Sequence, residues 1–302
     1  MSLQDLIDRL FTFNPANRDH PLTDEFVDKV VIVTGAGRGL GRAHALEFAK
    51  RGARVVVNDL GGGVDGTGSS NTAQSVVDEI TELGGIAVAN INSVAIPEGA
   101  ASIVETAVDE FGTVDIVVNN AGILRDKTFA NVTVANFKAV LDVHLLGAVY
   151  VTSAAWPILS SKGWGRVVFT SSGSGIFGNF GQSNYGAAKM GLVGLMNVLK
   201  LEGVKKGIRT NCLAPGATTR MTEGLPRGLD RGKPCLVSPA VLFLCSENAP
   251  NGIILQASGG RFSILKMCVS EGIDLGQDVD YESFSEVAHA LMKDDKTFRP
   301  HL

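Results

Sequence analysis

The sequence has little of what marks a secreted, disulfide-stabilised or metal-binding protein. Its 302 residues include four cysteines, Cys212, Cys235, Cys245 and Cys268, and none of them belongs to a CxxC pair. Four cysteines in a chain of this length do not make a disulfide framework, so we interpret them as reduced thiols. The five histidines are scattered, with no pair four residues apart, and the sequence therefore predicts no metal site.

Long apolar runs and an excess of one charge are also missing. No run approaches the roughly 18 apolar residues of a membrane span, so none is predicted. The 27 basic and 31 acidic residues give a net charge of −4, which argues against nucleic acid as a partner. The N-terminal segment lacks the features of a signal peptide, and Arg299–Leu302 is not an SKL-type peroxisomal address, so we expect a cytoplasmic location.

Glycine and hydrophobic residues, by contrast, are abundant. Hydrophobic residues make up 45% of the chain, and its 36 glycines exceed the usual proportion of about 7%. Short apolar, β-branched runs alternate with helical stretches, which indicates a parallel sheet covered by helices on both faces. The predicted strands are Val30–Val33, Val55–Val57, Ile86–Ala89, Val114–Val118, Arg166–Thr170, Ile208–Leu213 and residues 252–256.

This alternation predicts an α/β fold with a single doubly wound parallel sheet of about seven strands. No linker-like change of composition occurs before about residue 260. We therefore predict one domain over residues 28–260, between an N-terminal extension (1–27) and a partly helical C-terminal extension (261–302). Within the first extension, residues 3–11 are expected to form a short amphipathic helix.

The first predicted strand is followed by a glycine-rich turn with the sequence TGAGRGLG. Glycines at this place allow a tight turn and let a pyrophosphate approach the N-terminus of the next helix, where free N–H groups favour anions. The spacing is GxxxGxG rather than the commoner GxGxxG. The interpretation as a dinucleotide-binding turn therefore depends largely on the position of these glycines between a predicted strand and a predicted helix. The candidate cofactor-binding residues of this turn are Gly35, Arg38, Gly39, Leu40 and Gly41.

The second predicted strand ends at Asp59, and this carboxylate bears on the choice of cofactor. An acidic residue there accepts hydrogen bonds from the hydroxyls of an adenosine ribose and repels a 2′-phosphate, which favours NAD over NADP. Two alternatives stay open: Asp59 could simply begin a turn, and the guanidinium of Arg38 could bind a 2′-phosphate.

Three further stretches suggest a catalytic group. The sequence NNAG, with Asn120, Ala121 and Gly122, follows the fourth predicted strand at the edge where such sheets bind ligands. Tyr185 and Lys189 are four residues apart on a predicted helix, so they share one face. We expect the ammonium of Lys189 to lower the Tyr185 pKa towards working pH, so that the phenol exchanges a proton with a substrate oxygen. Ser172, at the end of a strand, is positioned to hold the same oxygen.

Together TGAGRGLG, NNAG, the serine and YxxxK resemble the short-chain dehydrogenase/reductase family over roughly residues 28–260. The resemblance implies one Rossmann-like, NAD-binding catalytic domain that oxidises or reduces a small molecule, with Ser172, Tyr185 and Lys189 as catalytic residues. It also implies that Lys189 hydrogen-bonds the nicotinamide ribose, and that Pro215 and Gly216 belong to the loop on the nicotinamide side. Homodimers or homotetramers are implied as well.

A narrower resemblance is carried by the strings VVVNDLGG, NNAGILRD, DVHLLGA, GNFGQSNYGAAK and TRMTE. They are similar to the (3R)-hydroxyacyl-CoA dehydrogenase part of peroxisomal multifunctional enzyme type 2 and to its free-standing bacterial relatives. This resemblance implies oxidation of a 3-hydroxyacyl-CoA in fatty acid metabolism. The hydratase and sterol-carrier modules of that enzyme are expected to be absent from a chain that ends at Leu302.

The sequence also departs from the family pattern. His144 stands where the wider family usually has a proton-relay Asn, and it is either a subgroup form of that catalytic residue or a core histidine. Asn92 and Ser93 stand where the family commonly has an Asp-led sequence that contacts the adenine, and because Asn can still hydrogen-bond there we keep both as candidate cofactor-binding residues. The stretch 220–233 is expected to form a substrate lid. Its basic residues, Arg220, Arg227, Arg231 and Lys233, outnumber Glu223 and Asp230, so it either binds the phosphates of CoA or is a solvated loop.

Two rival functions stay open. Within the enzyme class, the chain could act on a steroid or another secondary alcohol or ketone. Outside it, the chain could be a non-catalytic NAD-binding sensor, although a sensor has no need of Ser172, Tyr185 and Lys189 together.

Overall fold

A computed structural model describes residues 24–219, 232–270, 272–293 and 298–300. The strands are β1 Val30–Thr34, β2 Arg54–Asn58, β3 Ile86–Asn90, β4 Ile116–Asn119, β5 Gly165–Thr170, β6 Ile208–Gly216, β7 Ile254–Ser258, β8 Arg261–Leu265, β9 Cys268–Ser270 and β10 Phe298–Pro300. The helices are α1 Gly39–Ala49, α2 Thr72–Glu82, α3 Pro97–Phe111, α4 Val134–Leu141, α5 Gly147–Lys162, α6 Gly173–Phe177, α7 Ser183–Glu202, α8 Ser238–Cys245 and α9 Tyr281–Lys293.

The main sheet has the order β3-β2-β1-β4-β5-β6-β7-β8. Strands β1 to β7 pair in parallel, and β8 pairs antiparallel with β7. The predicted doubly wound α/β fold is therefore confirmed. An eighth strand, β8, continues the sheet past residue 260. The apolar pattern of the sequence lapses there because β8 is an edge strand, and four of its five residues face solvent.

Alternate residues of the strands build two cores. Val31 and Val33 of β1 pack on one face with α1, α2 and α8, while Val30 and Ile32 pack on the other with α3, α5 and α7. Burial of both faces explains why these strands are continuously apolar in sequence. Because β1 to β7 pair in parallel, their carboxyl ends lie along one edge, to which the loops after β1, β2, β4 and β5 all belong.

Helices α4 and α5 form one continuous helical stretch, Val134–Lys162, through a π-helical turn at Asp142–Leu146. Among the described residues it is the one helix long and apolar enough to cross a membrane, with a mean hydropathy of 1.4. Its residues Val151, Ala155 and Leu159 are fully buried against the sheet and α3. This burial is what a central helix of a doubly wound fold requires.

We expect stability to fall as the pH drops below 6.5, because two histidines are buried in the neutral form. His44 joins α1 to α8 through Nδ1 and the Ser238 hydroxyl, 2.9 Å apart, and burial lowers its pKa from 6.5 to about 3. Burial also lowers the pKa of His144 well below 6.5. Below pH 6.5 the unfolded chain binds more protons than the folded one, so His44 should cost about 2 kcal/mol at pH 5, and His144 should add to the loss in the same direction.

Urea unfolding as a function of pH checks this expectation. His44→Gln should remove the contribution of one histidine from the pH slope, whereas His289→Gln, which changes an exposed histidine of α9, should leave the slope unchanged. A free energy of unfolding that stays constant from pH 7 to pH 5 would contradict the assignment.

Candidate active site

The turn between β1 and α1 packs too closely for side chains at three of its glycines, Gly35, Gly37 and Gly41. A Cβ atom at Gly41 would lie 2.3 Å from the Gly35 carbonyl oxygen, and one at Gly35 would lie 2.7 Å from the Ala121 Cα. Gly35 also has a φ of +64°, in the left-handed region. Helix α1 begins at Gly39, and the side chain of Arg38 makes no capping hydrogen bond to it. Its first N–H groups therefore suit an anion, so the turn fits the pyrophosphate of a dinucleotide.

A cavity of about 460 Å³ opens beside this turn at the carboxyl edge of the sheet. The predicted cofactor residues that line it are Gly35, Arg38, Gly39, Leu40, Asp59, Asn92, Ser93, Asn120, Ala121 and Gly122. Gly41 lies within the first turn of α1. Of the other predicted residues, Pro215 and Gly216 end β6. Tyr185 and Lys189 lie on α7, so the structure places these four outside the lining of the cavity itself.

Asp59 is half-buried directly after β2 and already has two backbone partners. Its Oδ2 accepts a hydrogen bond from the Gly37 N–H at 2.8 Å, and its Oδ1 accepts one from the Gly61 N–H at 2.7 Å. The carboxylate thus ties the glycine turn to the loop after β2. Because each oxygen has further lone pairs and the residue lines the cavity, it also remains available to ribose hydroxyls.

The NNAG loop is tied to the same turn. The Asn120 side-chain amide donates to the carbonyls of Thr34 and Gly35, at 3.0 and 3.2 Å. On the far side, Asn92 donates through Nδ2 to the Ser102 hydroxyl at 2.9 Å, and its carbonyl accepts from Asn58. These contacts hold the backbone of both loops, so Asn120 and Asn92 shape the cavity walls as well as line them.

Ser172, Tyr185 and Lys189 are brought together as predicted. Ser172 caps the short helix α6, and its hydroxyl is close enough to the Tyr185 phenol to offset part of the rise in the pKa of that phenol. Lys189 lies one turn further along α7, with Nζ 5.5 Å from the centre of the Tyr185 ring. The ammonium donates to the carbonyl of Thr170, the last residue of β5. A hydroxyl, a phenol and a buried cation thus meet at one edge of the sheet.

The direction of the Tyr185 pKa differs from the sequence-based expectation. Burial raises the pKa of Tyr185 above its ordinary value, and the nearby hydroxyl of Ser172 offsets this only in part. Burial also lowers the pKa of Lys189 to about 7. Lys189 was expected to lower the Tyr185 pKa, and in the cofactor-free protein it does not. Burial favours the uncharged amine of Lys189, and its nitrogen donates to the Thr170 carbonyl instead of facing the phenol oxygen.

His144 lies in the π-helical turn and is 3% exposed. Its Nε2 is 2.8 Å from the Ile123 carbonyl oxygen and 3.0 Å from the Ile123 nitrogen, so it holds the backbone after NNAG. The ring packs edge-on against Tyr185, with centroids 5.1 Å apart. A Cβ atom at Gly122 would lie 2.3 Å from its Cε1. Burial lowers the pKa of His144 well below 6.5, so a neutral ring positions these neighbours, and a proton-relay role stays a prediction.

Two residues of this region were missed by the sequence reasoning. Asn184 is fully buried; its Oδ1 accepts from the Tyr185 N–H and its Nδ2 donates to the Arg125 carbonyl at 3.1 Å. Arg125 lines the cavity and contacts the glycine-rich loop after β2. The string NNAGILRD contains Arg125, but its contacts depend on which loops the sheet order brings together. The predicted lid lies outside the described residues between 220 and 231.

Comparisons with known proteins agree with this geometry. The family described as short chain dehydrogenase matches residues 29–228. A short-chain type dehydrogenase/reductase of Mycobacterium tuberculosis is 53% identical over 249 residues, which cover 81% of this chain and 87% of that protein. A short chain dehydrogenase from Mycobacterium avium has a crystal structure that superposes with a TM-score of 0.80 at 42% identity, covering 91% of this chain and 98% of that one.

A multifunctional enzyme is also similar. Peroxisomal multifunctional enzyme type 2 of Mus musculus is 51% identical over 245 residues, which cover 80% of this chain. The same residues cover 33% of the mouse protein, so the match spans about a third of its length.

Proposed function

Because the chain belongs to the short-chain dehydrogenase family, we propose that it oxidises a 3-hydroxyacyl-CoA to the 3-ketoacyl-CoA with NAD as cofactor. The observation that carries the oxidoreductase chemistry is the contact of the Ser172 hydroxyl with the Tyr185 phenol above buried Lys189. The acyl-CoA substrate is supported by the identity of about half of the matched residues with multifunctional enzymes.

In this proposal Tyr185 exchanges the proton of the substrate hydroxyl. Ser172 holds the substrate oxygen beside the phenol, and the phenolate form of Tyr185 removes the hydroxyl proton as the ketone forms. A nicotinamide dinucleotide held by the glycine turn and Asp59 would supply the hydride acceptor for the carbon that bears the substrate hydroxyl, and the hydride donor in the reverse reaction. Because the Tyr185 pKa is raised, the phenol retains its proton at neutral pH and is ready to donate it to a ketone oxygen.

Lys189 supports this exchange from below the tyrosine ring. Since its pKa is about 7, the amine gains or loses its proton near neutrality. It is held by the Thr170 carbonyl, so its position is fixed in either form. A cation there stabilises the phenolate, and the ribose contact that the family resemblance implies would place a second partner on the same nitrogen.

Asp59 supports NAD rather than NADP. Both carboxylate oxygens of Asp59 are fixed by the Gly37 and Gly61 amides, so the side chain is held facing the cavity that it lines. A 2′-phosphate beside it would meet like-charge repulsion. Arg38 belongs to the glycine turn and lines the same cavity, where its guanidinium suits the pyrophosphate as well as a 2′-phosphate.

The experiment that tests the substrate class compares one hydroxyacyl chain in two forms, as its CoA thioester and as the free acid. We expect turnover of the thioester with NAD and at least about a hundredfold lower kcat/KM for the free acid, because binding energy from the CoA part is lost. Faster oxidation of a secondary alcohol such as a hydroxysteroid than of any hydroxyacyl-CoA would favour the alternative function.

A further inference from the structure

The glycine-rich loop after β2 has no part in the chemistry described above. We call residues 60–68, with the sequence LGGGVDGTG, the strap. The sheet order places β2 and β4 on opposite sides of β1. The strap nevertheless contacts the loop that follows β4: the Val64 carbonyl accepts from the Leu124 N–H at 2.8 Å. To make that contact, the strap must cross the carboxyl end of β1, where the glycine turn lies.

The strap forms part of the cavity wall. Gly62, Gly63, Val64 and Gly66 line the same cavity as the glycine turn and Asp59. A dinucleotide with its pyrophosphate at α1 therefore lies beneath the strap. Displacement of the strap would therefore widen the way out of the cavity for such a cofactor.

The strap is braced within itself, so it would move as a unit. The Gly63 N–H donates to the Thr67 carbonyl at 2.7 Å, and Asp65 Oδ1 accepts from both the N–H and the hydroxyl of Thr67, at 3.0 and 2.8 Å. Gly61 and Gly68 lie near the two ends of the strap, with φ of +81° and +76°, backbone angles that residues other than glycine rarely adopt.

One side chain joins the strap to the catalytic side. Arg125 donates from Nε to the Asp65 carbonyl at 3.0 Å, and from a terminal nitrogen to Asn136 Oδ1 at 3.2 Å. Its own carbonyl accepts from Asn184, the neighbour of Tyr185. The guanidinium is thus fixed on α4 at one end and on the strap at the other.

We propose that Arg125 is a positioning residue that latches the strap over a bound nicotinamide dinucleotide, so that cofactor release requires the Asp65–Arg125 and Val64–Leu124 contacts to open. The inference rests on the proposed function only in that the cavity binds such a cofactor; it is independent of the substrate.

Stopped-flow fluorescence of NADH dissociation tests the latch in Arg125→Met, which keeps the length of the side chain and removes its donors. We expect the dissociation rate constant to rise at least about tenfold, since a charge-assisted hydrogen bond is lost. Arg125→Lys, which keeps a long cationic donor, should recover part of the effect. Arg54→Met is the matched control, because Arg54 pairs with Asp28 at the opposite edge of the sheet.

Hydrogen exchange at the Leu124 amide provides a readout that does not depend on activity. NADH should slow this exchange in the wild type, and Arg125→Met should abolish most of the slowing. An unchanged NADH dissociation rate in Arg125→Met would overturn the latch. If the wild type bound only NADPH, the NAD proposal would fail, and the same measurements with NADPH would still decide the latch.

Discussion

Tyr185→Phe is expected to lower kcat about a thousandfold, because the variant keeps the ring and loses the one hydroxyl that exchanges a proton with the substrate. The ring contacts with His144 and Lys189 should survive, since both involve the face or edge of the ring rather than its hydroxyl. Steady-state NADH formation at saturating substrate measures the effect.

Two controls separate lost chemistry from lost structure. Tyr185 does not line the cavity, so the Kd for NADH should change by less than about threefold in Tyr185→Phe. Tyr150→Phe, which removes a hydroxyl from a half-buried tyrosine on α5, should retain the wild-type kcat. A kcat for Tyr185→Phe within tenfold of the wild type would contradict the assigned mechanism.

Asp59→Ser is expected to change the ratio of kcat/KM for NAD and NADP at least a hundredfold in favour of NADP. The substitution removes the charge that repels a 2′-phosphate and leaves Arg38 as the nearby charge that attracts one. It also removes the acceptor shared by the Gly37 and Gly61 amides, so part of the loss with NAD should come from a looser turn.

Asp109→Asn provides the matched control for Asp59, because it removes one exposed carboxylate from α3. The ratio of kcat/KM for NAD and NADP in Asp109→Asn should equal that of the wild type. If Asp59→Ser kept its preference for NAD unchanged, the carboxylate would have a structural role in the turn and no role in cofactor choice.

The fold follows from local pattern wherever strands are buried on both faces. Val30–Val33 and Val55–Val57 read as continuous apolar runs because α-helices cover them on both sides. Strand β8 has no such signal: Phe262 and Ile264 are 48% and 53% exposed, and the strand pairs with β7 through the two-residue hairpin turn Gly259–Gly260. An edge strand of this kind is visible only in the assembled sheet.

The candidate site divides in the same way. Tyr185 and Lys189 could be paired from the sequence because helical spacing alone places them one turn apart. The raised pKa of Tyr185 could not be predicted from the sequence, because the burial of the phenol and the contact of Lys189 with the Thr170 carbonyl are tertiary features. Arg125 also gave no signal, since its partner Asp65 is distant in sequence and reaches it only across the end of β1.

The central claim is tested most directly by NADH formation with the separate 3R and 3S isomers of one hydroxyacyl-CoA, each assayed with NAD and with NADP. The account predicts turnover of the 3R isomer with NAD, with the 3S isomer and NADP both at least about tenfold poorer in kcat/KM. Absence of turnover for both isomers, in a protein that still binds NADH, would contradict the hydroxyacyl-CoA assignment and leave the dehydrogenase fold and its cofactor site in place.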